Sequence, residues 1–323
     1  MVETSRTRLN AYQKTAILTV MAVLFLILIG SLVRASGAGL GCPDWPKCWG
    51  CWWPPSDVSE IDASRYDITS FNKLKMWIEY VNRLLGVLIG FFITATSLLS
   101  FRYRKSKPRI FWASLLAFVL VLFQGWLGAQ VVRSQLEGGA ITVHMIVAIL
   151  ILLILIYAAY EANHAHLNLS LPREVTKPLR ITALVILAIT ISQMVLGTRV
   201  REQIDHLSKT NEQAPREQWL SKTGASDHIH RSFSWVVLGA CVFTLTLRKE
   251  HKLHGLTGKL IILNAVFVAL QIGCGIVLAY GGLPATFQIL HLTLASVMIT
   301  TQFLLLLIGR TATLTQAEAV PPH

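Results

Sequence analysis

Apolar residues in this chain run in long unbroken stretches, with neither the alternation of a half-buried strand nor the narrow stripe of a surface helix. Eight such stretches fall at roughly 15–35, 77–100, 110–132, 140–160, 178–198, 229–247, 259–280 and 286–308. Each is close to the ~20 apolar residues that a helix needs to cross a bilayer. The pattern predicts an all-α membrane protein with eight transmembrane helices. The apolar core of the first stretch exceeds the 7–15 residues of a signal-peptide core, although the small residues near Ala35–Ala38 resemble a cleavage site. A counterpart of this stretch recurs mid-chain, so it is expected to stay.

Composition agrees. Apolar residues make up 53% and charged residues 14%, with a mean hydropathy of +0.55. Soluble domains carry about 25% charged residues, and disordered chains lack the apolar content needed for burial. Net charge is +12 and the pI about 9.7, but the basic residues punctuate the spans instead of forming a nucleic-acid-binding patch. One side of the membrane collects Arg6, Arg8 and Lys14, the segment Arg102 to Arg109, then Arg173, Lys177 and Arg180, then Arg248, Lys249, Lys252 and Lys259, and Arg310. Those sixteen bases face five acids: Glu3, Glu161, Glu174, Glu250 and Glu318. By the positive-inside rule both termini are cytoplasmic and the long loop 36–76 lies outside, in a multi-pass protein of the cell membrane.

The chain also repeats. His144 and His291 are 147 positions apart, as are Gln124 and Gln271, and Gly128 and Gly275. Glu79-Tyr-Val-Asn82-Arg83 aligns with Asp227-His-Ile-His230-Arg231 at an offset of 148. Gly30-Ser-Leu-Val-Arg34 aligns with Gly197-Thr-Arg-Val-Arg201 at an offset of 167, the longer outer loop absorbing the difference. Two tandem four-helix bundles are expected, residues 1–160 and 161–323, related by a pseudo-two-fold axis along the membrane normal. The Gln-x-x-x-Gly spacing, present also at Gln193 and Gly197, reads as a packing seam, because small residues let helices approach.

Intramembrane ionisable residues are costly and usually functional. His144, His230 and His291 each lie near the outer end of an even-numbered span, and Asn82 occupies the fourth equivalent position. Two imidazoles on facing helices at one depth are what a six-coordinate heme iron requires. Zinc fits less well, since no third and fourth ligand lies nearby. A proton relay, or histidines hydrogen-bonded inside a bundle, remain alternatives. His228 points away from His230 on a helix, while His164, His166, His206, His251 and His254 fall in predicted loops. Arg34, Arg201 and Arg231 are candidates for binding heme propionates, since guanidinium groups fork onto carboxylates; snorkelling to lipid headgroups is the competing role.

The outer loop reads GAGLGCPDWPKCWGCWWPP. In an oxidising compartment its cysteines can pair as Cys42–Cys48 or Cys48–Cys51, or hold a metal. Cys241 and Cys274 are expected as small apolar fillers. Trp45, Trp49, Trp52, Trp53 and Trp77 fit an interfacial belt or a lid over a porphyrin.

The string GLGCPDWPKC, Glu79 with Arg83, His144, His230-Arg231 and His291 together resemble the heme A synthase family over nearly the whole chain. The resemblance implies oxidation of the C8 methyl group of heme O to a formyl group, through two hydroxylations and loss of water from a geminal diol, giving heme A for terminal oxidases. It implies a cofactor heme b with iron ligands His230 and His291 in the second half, and a substrate heme bound by His144, Asn82 and Arg83 in the first. It further implies a catalytic role for Glu79 and pairing of Cys42 with Cys48. Implied partners are heme O synthase and the cytochrome oxidase assembly machinery besides membrane lipid, with no nucleic acid; a homo-oligomer is left open. The chain departs from the family at Asn82, where histidine is common. An amide is a poor iron ligand, so His144 stands as the one strong ligand there, and either an open coordination position or lost activity follows. The competing function is a non-enzymatic di-heme b-type electron carrier linked to quinol. A transporter built from parallel repeats is a third class.

Overall fold

The computed structural model describes residues 8–167, 169, 171–210 and 223–318. Among them eight helices are long and apolar enough to cross a membrane. They are α1 (Ala11–Ala35), α2 (Lys73–Ser100), α3 (Pro108–Arg133), α4 (Gly138–Asn163), α5 (Arg173–Thr210), α6 (Ala225–Glu250), α7 (Gly255–Tyr280) and α8 (Ala285–Glu318). Every predicted span has its helix. Glu3 and Arg6 of the charge pattern lie outside the described residues.

Local chemistry sets the starts. Asn10 and Gln13 close a reciprocal capping box on α1, with bonds of 3.1 and 2.8 Å, satisfying donors that a helix start leaves open. Asn72 caps α2 through the Lys75 N–H at 3.0 Å, and Pro108 opens α3 where a missing N–H costs nothing. The α3–α4 turn places Gln135 and Leu136 at φ of 55° and 64°; the α7–α8 turn places Gly282 and Leu283 at 71° and 59°.

The helices outrun their apolar stretches. The fifth span, expected over 178–198, extends from Arg173 to Thr210, and so His206 is helical and not in a loop. Past the apolar segment the helix is supported by pairs one turn apart, Arg199–Glu202 and Arg201–Asp205, each at 3.0 Å.

In the first half α1 packs on α2 and α4, α2 on α3, and α3 on α4; in the second α5 packs on α6 and α8, α6 on α7, and α7 on α8. Contacts of α1 and α4 with α8, and of α4 with α5, join them. The main apolar cluster includes Ile93, Leu152, Leu155, Leu179, Ile299 and Ile308. Two pairs of buried hydroxyls bond across the bundle, Tyr12 with Ser114 and Thr19 with Thr96, both at 2.8 Å, as a medium without water favours. Outward-facing Phe91, Trp112, Leu122 and Trp235 present apolar surface of the kind a bilayer covers.

The dense packing stops short of the other end. In α2 no residue between Tyr80 and Ile89 is fully buried; in α4 none between Thr142 and Ile149; in α6 none between Asp227 and Val237. These intervals contain Asn82, His144 and His230.

Residues 36–72 fold over this end around a small core of their own, Cys42, Cys48, Trp49 and Ile61 packed on Met76 and Tyr80. Trp49 is 3% exposed and meets Tyr66 and Phe71 edge to face, while Trp52 and Trp53 remain largely exposed. The tryptophans are thus neither one belt nor one lid. Gly41 has no room for a side chain, because a Cβ there would strike the Lys75 and Met76 backbone. Asp57 and Asp67 cap two short turns, and hydrogen bonds from Ser59 and Thr69 hold their carboxyls below the usual range.

Candidate functional site

Three histidines sit in the first two turns of α4, α6 and α8. His230 and His291 approach each other across the second half, ring centres 6.3 Å apart and planes inclined at 66°. The Nδ1 atoms of His144, His230 and His291 are all buried without a hydrogen-bond partner. His228 is exposed and takes no part. Among the described residues no three His, Cys, Asp or Glu side chains converge on a common point.

The preceding helix meets each histidine with a glycine, and two of them also with a glutamine. Gln124 Nε2 donates to the His144 carbonyl at 3.0 Å, and Gln193 Nε2 donates to the His230 carbonyl at 2.9 Å. A Cβ placed on Gly128, Gly197 or Gly275 would meet the Cε1 of His144, His230 or His291 at 3.6, 3.4 and 3.6 Å, with no atom of any other residue within 4 Å. The Gln-x-x-x-Gly spacing therefore fits an imidazole against the helix, and is more than a seam between backbones. Gln124, Gln193 and Gln271 were not among the expected site residues. Their signal was present, since they share the repeat offset and depth of the histidines.

Glu79 is 4% exposed. It accepts the Cys42 N–H at 2.8 Å and pairs with Arg83 at 2.5 Å. Arg83 also donates to the carbonyls of Asp44, Lys47 and Cys42 at 2.6, 2.9 and 3.0 Å. The Glu79–Arg83 pair thereby fastens the loop between α1 and α2 to α2. The second half repeats the pair as Asp227–Arg231 at 2.6 Å, with the Arg231 guanidinium 6.0 Å above the Tyr280 ring.

The loop disulfide joins Cys42 to Cys48, which removes the Cys48–Cys51 pairing and the metal site. Cys51 stays a thiol, its backbone paired with that of Cys48 at 2.9 and 3.2 Å. Cys241 and Cys274 are buried thiols. Arg34 pairs with Asp205; Arg201 lies 3.0 Å from the same carboxylate and also bonds Gln288, one turn before His291. Each of the three propionate candidates thus has a carboxylate partner, and Arg201 and Arg231 lie beside the histidine pair.

Comparison with known proteins gives the family. Residues 13–303 match the COX15-CtaA family model, described as cytochrome oxidase assembly protein. A protein of Shewanella oneidensis named heme A synthase is 26% identical over 268 residues, covering 79% of each chain. Proteins of Bacillus cereus and Bacillus anthracis with the same name are 24% identical over 143 residues, covering 44% of this chain and 41% of theirs. With all but its ends matched by one family model, the chain belongs to the COX15-CtaA family of cytochrome oxidase assembly proteins.

Proposed function

We propose that the protein is a heme A synthase, an oxidoreductase that converts the C8 methyl group of heme O to a formyl group. The observation that carries this is the His230–His291 pair, with ring centres 6.3 Å apart. Two metal–nitrogen bonds of about 2 Å plus the depth of each ring come to roughly the observed spacing, so the two imidazoles would suit holding one metal ion between them. Among the described residues no third His, Cys, Asp or Glu joins the pair, so a metal held there would take its other ligands from a bound group such as a porphyrin. The relatives named heme A synthase favour this activity over a di-heme carrier.

Several features support two four-helix bundles, 1–160 and 161–323, about a pseudo-two-fold axis. Each half closes its helix contacts into a ring, the left-handed turn at Gln135–Leu136 recurs at Gly282–Leu283, and Glu79–Arg83 recurs as Asp227–Arg231. In the second half His230 and His291 would hold the cofactor heme b, and in the first His144, Asn82 and Arg83 would hold heme O. The basic residues at the opposite ends of the helices support cytoplasmic termini and two sites near the outer face. Heme O synthase and the oxidase assembly machinery are the partners on either side of the reaction.

When bound, the b-type heme supplies one-electron transfer. The chain does the rest. Gln193 and Gly197 fix the His230 ring. Arg201 and Arg231, and Arg34 from α1, are the cations that would hold propionates, each now paired with Asp205 or Asp227. Arg83 holds the loop closed over the first half and keeps water out, while the buried Glu79 carboxylate takes and returns protons. Reduced-minus-oxidised spectra with heme extraction test this on wild type and His291→Ala, expressed in cells that make heme O. The expected result is a formylated heme with wild type and loss of the tightly bound b heme in the variant. Colourless protein, or two b hemes that never exchange and never carry a formyl group, would overturn it.

A further inference from the structure

At the helix ends away from the histidines, α4, α5 and α8 enclose a cavity of about 540 Å³. Tyr157 of α4, Arg180 and Leu184 of α5, and Phe303, Leu307 and Arg310 of α8 line it. It therefore sits where a helix of the first half meets two of the second. The helices α5 and α8 come close here, because residue 309 is glycine. A Cβ on Gly309 would meet the Arg180 Cβ, Cα and N at 3.1, 3.3 and 3.4 Å. Arg180 and Arg310 thus start from neighbouring backbones and share one cavity.

The charges in this cavity do not balance. Among the described residues neither Arg180 nor Arg310 has a carboxylate in ion-pair reach, whereas Arg34, Arg83, Arg199, Arg201 and Arg231 each have one. The charged groups acting on the Tyr157 hydroxyl are Glu161, Arg310 and Arg109. One acid stands against three arginines, counting Arg180. Guanidinium groups fork onto phosphate oxygens, and two of them side by side suit an anion that both can reach.

The remaining walls are apolar. Leu307 is buried, and Leu184 is exposed on the outside of the bundle, so the cavity opens sideways, toward the bilayer that the spans require. A free anion would satisfy the arginines and leave Leu184 and Phe303 uncovered. A zwitterionic lipid would bring a cation of its own to an already positive place. Basic pockets between transmembrane helices are a setting in which anionic lipid headgroups bind.

We propose that the α4–α5–α8 cavity is a binding site for an anionic phospholipid, its phosphate shared by Arg180 and Arg310 and an acyl chain lying along Leu184 and Phe303. The proposal needs only the eight spans and is independent of what the histidines hold. Arginines that merely snorkel to the headgroup layer would give no preference tied to this cavity.

Native mass spectrometry of the full-length protein in detergent tests this, with phosphatidylglycerol, phosphatidylcholine and inorganic phosphate as probes. Wild type is expected to bind one phosphatidylglycerol at least tenfold more tightly than phosphatidylcholine, and inorganic phosphate in millimolar excess should not displace it. Arg180→Gln with Arg310→Gln should abolish the preference, while Arg104→Gln with Lys105→Gln, in the loop between α2 and α3, should keep it. A photoactivatable phosphatidylglycerol locates the site in wild type without any variant, and should label peptides containing Leu184 or Phe303. Equal binding of the two lipids, displacement by inorganic phosphate, equal loss in both double variants, or labelling confined to other helices would each overturn the proposal.

Discussion

Glu79 accepts the backbone N–H of Cys42 at 2.8 Å, so the acidic residue of α2 and the disulfide loop are one mechanical unit. Arg83 completes it by bonding Glu79 and three loop carbonyls. Neither side chain is free to act alone: the carboxylate is buried with its charge matched by the guanidinium.

Arg83→Ala should therefore do more than remove a charge. It leaves Glu79 buried without its cation, a class of change that costs about 3–5 kcal/mol, and releases the carbonyls of Asp44, Lys47 and Cys42. The expected outcome is a lower unfolding temperature and faster tryptic cleavage at Lys47. Equal cleavage rates in wild type and variant would show that the loop is held by its aromatic core instead.

The cysteines give a second test. Alkylation of the unreduced protein should label Cys51 and leave Cys42 and Cys48 linked, a mass difference read directly on the peptide. Cys42→Ser should lower stability by about 2 kcal/mol on the chain-entropy estimate for so short a loop. It should also loosen the loop contact with Glu79, since the Cys42 N–H is placed by the bridge. Recovery of a Cys48–Cys51 bridge in untreated wild type would contradict the observed pairing.

Length and hydropathy sufficed for eight helices because a bilayer demands long apolar runs whatever the packing. They fell short at the ends of α5, where Arg199, Arg201, Glu202 and Asp205 sustain the helix through charge pairs that hydropathy scores as loop. The histidines were legible because an imidazole in a span is rare. The spacing of the glutamines was legible too, but not their role, since a Gln–carbonyl bond between helices leaves no trace in composition. Likewise Trp49, spaced like its neighbours Trp52 and Trp53, could not be told from them until the loop core formed around it.

Asp205 pairs with Arg34 of α1 and Arg201 of α5, and so ties together helices of the two halves. The groups are about 30% exposed, which limits each pair to about 1 kcal/mol or less. Asp205→Asn should shift the unfolding temperature only slightly. Porphyrin retention separates the two roles of these arginines. If they bind propionates, Arg201→Ala releases heme and Asp205→Asn does not; parallel loss in both variants would make the arginines structural.

Two glycines on α7 provide the most direct test of the histidine arrangement, because they differ only in what they face. Gly275 lies against the His291 ring, where a Cβ would come within 3.6 Å of Cε1, while Gly273 faces open surface. A methyl at Gly273 meets nothing and relieves the cost of glycine in a helix, so Gly273→Ala should raise stability by up to about 1 kcal/mol. At Gly275 the methyl groups of valine reach beyond the Cβ into the imidazole. The ring must rotate or the helices part, at a cost of about 1–3 kcal/mol, and in either case the 6.3 Å spacing to His230 is lost. Gly275→Val should therefore lose its low-spin heme signal at temperatures where the protein is still folded, and Gly273→Val should keep it. Identical spectra for the two valine variants would mean that the helix tolerates bulk beside His291 and that the glycine serves helix approach alone.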